Sequence, residues 1–319
     1  MNFDRPIFIH GLQGGGTGIF WNIITSHAEC LGPRFETNEI FQCSSLDFAK
    51  FLVRRQGAQL INMLELIRLS IRYRFDPRKF HVFDMENVLP RDGALIQDRG
   101  FRSAVVQRLE ELKLDHGTNP RFDKEDFRAP QDQYTPQEIQ NTRLTAKNLE
   151  GCCFLRGFFE DLFSGAQFVS IVRHGLAICE SNLRHGRAFS ATEAGAKYRV
   201  LVKEMFRQSG DSNSILVRYE DLVDKPKETI ARLYDFLQLD WRANQKFRMA
   251  VREFIGREKT SLMSHQVQKG KNWFSLEELS ERFLQKDINQ SALERLPEGQ
   301  RAEFISEAAE VLSALDYHY

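Results

Sequence analysis

The stretch Ile171–Arg187, IVRHGLAICESNLRHGR, constrains the fold of this chain more than any other. An apolar strand, Phe168–Val172, runs directly into Arg173, His174 and Gly175, and a helix follows over Gly175–Arg184. Arg173 thus stands at the strand's carboxyl end. Ser181 lies eight residues further on, about two turns into the helix at roughly 3.6 residues per turn. This spacing aims a guanidinium and a hydroxyl at one anion beside a helix N-terminus, where free N–H groups also point.

A second anion loop stands near the start of the chain. Pro6–His10 reads as a short strand bounded by Pro and Gly. The loop His10–Gly18 then opens a helix, the setting a phosphate loop requires. Gly14, Gly15, Gly16 and Gly18 let successive N–H groups converge on an anion, and Thr17 adds a hydroxyl. No Lys is present, so the loop is not a Walker A sequence. Two anion sites in one chain suggest a nucleotide phosphorylated in two places.

Short strands at Pro6–His10, Arg143–Asn148, Gln167–Val172 and Ser214–Tyr219 alternate with helical stretches. Those stretches include Asp98–Leu114, Cys152–Phe163, Thr192–Ser209, Pro226–Leu237, Asn244–Ile255 and Gly299–Leu315. The pattern predicts an α/β fold, a central parallel sheet with helices on both faces. No linker-like stretch interrupts the chain, so residues 1–319 are expected to form one domain. The polar, Pro-containing segment 115–136 and the segment 243–272 are the expected lids over a substrate.

Composition narrows the function. The chain has 44 basic and 44 acidic residues, which argues against a general nucleic-acid binder, so any anion site must be built locally. Five Cys, an odd number with an adjacent pair and no CxxC spacing, read as reduced buried thiols, and no metal site is expected. The five-residue apolar run near the N-terminus is too short for a signal peptide or a membrane span. A cytoplasmic protein without a membrane partner is the expectation.

The third motif is Ser214–Leu237, SILVRYEDLVDKPKETIARLYDFL. A strand delivers Arg218 and Tyr219, an acidic turn follows, and Pro226 sits at the first position of a helix with Glu228 in its first turn. A fourth is the late basic loop Lys269-Gly270-Lys271-Asn272-Trp273. These four motifs, in this order, resemble those of the sulfotransferase family that uses 3′-phosphoadenosine 5′-phosphosulfate (PAPS), whose fold is P-loop-like. The resemblance implies that Arg173 and Ser181 clamp the 3′-phosphate and that Tyr219 hydrogen-bonds the adenine. It also implies that Lys269, Gly270 and Lys271 close on the 3′-phosphate, and that the loop around Gly16 and Thr17 holds the 5′-phosphosulfate.

One departure stands out. Gly14 and Gly15 occupy the places of the family's loop Arg/Lys and Ser, and Gly18 replaces a hydroxyl residue. A charge-assisted bond to phosphate is worth roughly 1.5–3 kcal/mol. Lys147, which resembles the family's Lys at the end of a central strand, is the expected substitute. If the loop is merely degenerate, Gly14→Arg should raise activity. The acceptor must lose a proton as it attacks sulfur. Family members that use a carboxylate for this carry it in the segment after the first helix, where Glu36 and Glu39 fit, Glu36 first.

The resemblance thus implies a PAPS-dependent sulfotransferase that sulfates a hydroxyl or amine of a small-molecule or carbohydrate acceptor. Its product would be 3′-phosphoadenosine 5′-phosphate (PAP), its chemistry would need no metal, and it would act as a monomer or homodimer. Two other readings stay open. One is a non-catalytic or weakly active relative that binds a nucleotide or a partner protein. The other is a P-loop phosphotransferase, against which stand the missing Walker Lys and the lack of a clear Mg²⁺-binding Asp after a strand.

Overall fold

The computed structural model describes residues 4–33, 36–37, 83–84, 89–90, 99–118, 135–243, 246–249, 273–284 and 288–318. Strand β1 (Ile7–Gly11) is buried along its whole length, as expected of a central parallel strand covered on both faces. A glycine-rich turn leads to α1 (Thr17–Thr25), whose residues are nearly all buried, and then to the short strand β2 (Cys30–Leu31). β3 (Phe83–Asp84) and β4 (Leu89–Pro90) form a small antiparallel pair.

Next come α2 (Arg99–Thr118) and α3 (Pro136–Asn141). Thr135 and Glu138 close a capping box ahead of Pro136, which satisfies two of the helix's unpaired N–H groups and starts it at a fixed residue. β5 (Arg143–Leu149) passes into a 3₁₀ segment, Glu150–Leu155, and then α4 (Arg156–Leu162). The continuous helix expected over Cys152–Phe163 is therefore a tight turn followed by a shorter helix. β6 (Gln167–Val172), α5 (Gly175–Arg184) and α6 (Ala191–Gln208) follow, then β7 (Ser214–Arg218), α7 (Tyr219–Asp224) and α8 (Pro226–Leu237).

β8 (Phe247–Arg248) pairs antiparallel with β9 (Trp273–Phe274). A helix was expected over Asn244–Ile255, yet its described part is this strand. Phe247, Arg248 and Met249 are all buried, a pattern without a helical period, which a short apolar run cannot distinguish. Helices α9 (Leu276–Phe283), α10 (Ile288–Arg295) and α11 (Glu298–Ala314) complete the described chain.

The main sheet has the order β2-β5-β1-β6-β7, every pair parallel. Ile9 pairs with Lys147 and Val169, His10 with Asn148 and Ser170, and Val172 with Arg218. In-register parallel strands end together, so Gly11, Leu149, Val172 and Arg218 line one edge. Loops leaving that edge hold three of the motifs read from the sequence, at Gly11–Gly18, Arg173–Arg184 and Arg218–Leu237, in keeping with the rule that open α/β sheets bind ligands beyond their carboxyl ends.

Alternation along β1 sorts the two faces. Ile7 and Ile9 pack with Ile19, Phe20 and Ile23 of α1 and with Ile230 and Leu233 of α8. Phe8 packs on the other face with Phe158, Phe159, Phe163 and Phe168. The Phe8 and Phe159 rings stack with centroids 4.1 Å apart, and each such buried ring contributes roughly 1.5–3 kcal/mol. Five of the 26 phenylalanines are thus core on this one face.

Candidate functional site

The glycine loop sits at the middle of the sheet's carboxyl edge, between β5 and β6. Gly14 has φ +83° and Gly16 φ +88°, the left-handed region open to glycine at little cost. Gly16 also caps α1 without any side-chain bond. A Cβ there would lie 2.3 Å from a ring carbon of Tyr219, so glycine is demanded twice. Gly15 donates its N–H to the Leu12 carbonyl at 2.9 Å, while no backbone acceptor takes the N–H groups of Gly16, Thr17 or Gly18 among the described residues. Unpaired amides at the start of a helix suit an anion.

Arg173 leaves the end of β6 and turns toward this loop. Its Nη1 donates to the Gly14 carbonyl at 2.9 Å and its Nε to Asn289 Oδ1 at 2.8 Å. The guanidinium lies 5.2 Å from the centre of the Tyr219 ring, and the Arg173 carbonyl accepts from the Tyr198 hydroxyl at 2.9 Å. Burial lowers the guanidinium's pKa, and Tyr219 and Glu220 pull it back up. Arginine stays charged under such shifts, so Arg173 brings a fixed positive charge to the site.

Ser181 reaches the same place from α5. A Cβ on Gly14 would stand 3.0 Å from Ser181 Oγ, which puts the hydroxyl against the loop that Arg173 touches. The sequence spacing therefore does bring Arg173, Ser181 and Gly14 together. Tyr219 follows β7 and is 2 % exposed, with Gly16 against its edge and Arg173 over its face. On the same helix as Ser181, Arg184 pairs its Nε with Glu180 at 2.9 Å.

The two expected transfer residues meet each other. Lys147 Nζ stands 3.4 Å from Glu36 Oε1, and residue 36 forms a parallel bridge with residue 147. Thr37 fastens the contact. Its N–H donates to the Lys147 carbonyl at 2.9 Å and its hydroxyl donates to Asn148 Oδ1. Lys147, the residue expected to stand in for the missing loop Arg, is thus ion-paired to Glu36. Glu39, Lys269, Gly270 and Lys271 lie outside the described residues, as do most of the two expected lid segments.

Sequence reading missed the residues behind Arg173. Glu220 Oε1 accepts from the His174 N–H at 2.9 Å and from Asn289 Nδ2 at 2.6 Å, and its Oε2 accepts from the Tyr317 hydroxyl at 2.7 Å. His174 caps α5 by accepting from the Leu176 N–H at 3.3 Å. It also missed Glu150, a buried residue at φ +57° whose Oε2 accepts from Lys197 Nζ at 2.7 Å. Cys30, Cys152, Cys153 and Cys179 are free and buried, and burial raises the pKa of each thiol. Among the described residues there is no group of three or more His, Cys, Asp or Glu fit for a metal and no helix long and apolar enough to cross a membrane.

A parallel sheet with a glycine loop, a strand-end Arg and a helix Ser converging at its carboxyl edge defines a P-loop-like α/β protein. A model of the sulfotransferase family matches residues 6–243. The chain belongs to the sulfotransferase family. All of it aligns with the sulfotransferase domain from the Synechococcus PCC 7002 olefin synthase, at 16% identity and a TM-score of 0.53, covering 96% of that domain. It is also similar to the sulfotransferase domain from the curacin biosynthetic pathway, at 14% identity, a TM-score of 0.49 and coverage of 100% of this chain and 99% of that one. A retinol dehydratase in complex with retinol and PAP aligns at 14% identity and a TM-score of 0.34, over 99% of this chain and 84% of that one. No curated protein sequence matches the chain.

Proposed function

We propose that this protein transfers a sulfuryl group from PAPS to a hydroxyl or amine of a small-molecule or glycan acceptor and releases PAP. The observation that carries this reading is the meeting of Arg173, Ser181 and the Gly14–Gly18 loop at one edge of the sheet. Arg173 and Ser181 take the 3′-phosphate, and the loop amides of Gly16, Thr17 and Gly18 take the 5′ end. Tyr219 holds the loop and Arg173 from below, and its hydroxyl end is what reaches the adenine.

PAPS as donor substrate supplies an activated sulfuryl group. The acceptor oxygen or nitrogen bonds to sulfur, the bond from sulfur to the bridging oxygen breaks, and the acceptor proton passes to Glu36. Once Glu36 is protonated it no longer balances Lys147, and the ammonium charge becomes available to the bridging oxygen. Lys147 would in this way supply part of the stabilisation that the glycine loop lacks. Positioning does much of the remainder.

The test is calorimetric titration with PAP against ADP, followed by transfer assays with PAPS and a panel of phenols, alcohols and amines. PAP binding far tighter than ADP, with sulfated product, is the expected result. PAP binding without turnover on any acceptor would favour the non-catalytic reading, which the absence of a loop Arg or Lys supports. Equal weak binding of PAP and ADP would overturn the nucleotide assignment, and Mg²⁺-dependent ATP turnover would replace it with phosphotransfer.

A further inference from the structure

We infer that Glu220, Asn289 and Tyr317 form a positioning relay that presents Arg173 to a 3′-phosphate, so that 3′-phosphate selectivity depends on the end of the described chain. The inference rests on the assignment of Arg173 to that phosphate. It starts from hydrogen-bond chemistry. Arg173 Nε only donates and a Glu220 carboxylate only accepts. Asn289 stands between them, accepting from Arg173 at 2.8 Å and donating to Glu220 at 2.6 Å. A flipped amide would set donor against donor and acceptor against acceptor, so the network itself fixes its orientation.

The spacer has an electrostatic consequence. Glu220 in direct contact with Arg173 would neutralise it and compete with an incoming anion. With an amide between them, the carboxylate orients the guanidinium and leaves its charge for an external ligand. Nε is held by Asn289 and Nη1 by the Gly14 carbonyl. Nη2 carries no hydrogen bond among the described residues and remains for the phosphate.

Glu220 is itself held from the far end of the chain. Tyr317 donates its hydroxyl to Oε2 at 2.7 Å, and the His174 N–H donates to Oε1 at 2.9 Å. The segment bearing Tyr317 is fastened to the same edge of the sheet. Arg218 Nη1 donates to the Leu315 carbonyl at 3.0 Å, and the His174 ring lies 3.1 Å from the His318 carbonyl through Nε2. On α10, Arg295 donates to Glu180 Oε1 at 2.8 Å, which ties the helix carrying Asn289 to the helix carrying Ser181. Asn289, Leu315, Tyr317 and His318 thus tie the support of Arg173 to residues 289–318.

The experiment is the ratio of ADP to PAP dissociation constants, measured by calorimetry on the full chain for wild type, Asn289→Ala and Tyr317→Phe. Tyr317→Phe loses one hydroxyl and keeps its ring beside His174 and Arg218, so it retains the fold even where Asn289→Ala does not. The relay predicts that Asn289→Ala lowers the ratio about tenfold and Tyr317→Phe about threefold. In both, PAP weakens while ADP is unchanged, a selective loss that a merely structural role would not produce. A wild type that prefers PAP, with folded variants that keep the same ratio, overturns the relay alone. A wild type that does not distinguish PAP from ADP overturns the relay together with the phosphate assignment beneath it.

Discussion

The Glu36 carboxylate and the Lys147 ammonium stand 3.4 Å apart near the carboxyl edge of the sheet. Lys147 is buried and Glu36 half-buried, with 5% and 26% of their side chains exposed. If Glu36 takes the acceptor proton, Glu36→Gln should lower kcat by about 10²-fold or more, the usual range for a lost general base. PAP should bind no more weakly, because the step lost occurs in the transition state and a neutral amide leaves the Lys147 ammonium to the 5′-phosphate. A variant that keeps wild-type kcat would reduce the ion pair to a clasp between residues 36–37 and β5.

Arg173 is the charged centre of the nucleotide reading. Arg173→Ala should weaken PAP by more than about tenfold, given roughly 1.5–3 kcal/mol per charge-assisted bond. Ser181→Ala removes a neutral donor worth about 0.5–1.5 kcal/mol and should cost about two- to tenfold. Neither should alter ADP binding. Calorimetry with both nucleotides reads the difference, and unchanged PAP affinity in Arg173→Ala would refute the 3′-phosphate assignment.

The glycine loop answers the expectation that an arginine at position 14 would restore a degenerate site. Gly14 sits at φ +83°, and any Cβ there would meet Ser181 Oγ at 3.0 Å. Gly14→Arg should therefore displace Ser181 and weaken PAP binding rather than raise turnover. Gly16→Ala is worse placed, with φ +88° and a Cβ 2.3 Å from the Tyr219 ring. Left-handed strain of about 1–2 kcal/mol and overpacking of about 1–3 kcal/mol should together lower the melting temperature by several degrees. A thermal melt and a PAP titration of the two variants check both statements.

The parts of this site that are local in sequence were legible there. Arg173 and Ser181 share one strand–helix unit, and helix spacing alone puts them on one side. Pro226 at the start of α8 marks that helix to the residue. What could not be read is what the fold assembles from a distance. Asn289 meets Arg173 across 116 positions and Tyr317 meets Glu220 across 97, and no local pattern signals either contact. Glu36 and Lys147 were singled out for different roles, yet their pairing needs β5 and the segment after β2 side by side. The glycines could be seen, but what position 14 tolerates is set by its positive φ and by Ser181 of α5 beside it, which only the fold brings there.

His10 carries the clearest pH dependence. It lies on β1 between Asn148 and Ser170, fully buried, with neither ring nitrogen bonded among the described residues. Burial, helped by the nearby charge of Arg156, lowers its pKa from 6.5 to about 3. The folded protein thus leaves His10 neutral down to about pH 3, whereas the unfolded chain protonates it below about 6.5. Between those values the unfolded state binds the extra proton, so stability falls as pH falls, by up to about 1.4 kcal/mol per pH unit. His10→Gln removes the titration and should flatten this part of the curve. Urea unfolding at pH 7.5 and pH 5.0 should show wild type losing about 2 kcal/mol more than the variant over that step. Parallel losses in the two proteins would mean that His10 is protonated in the fold, with Asn148 or Ser170 turned to receive it.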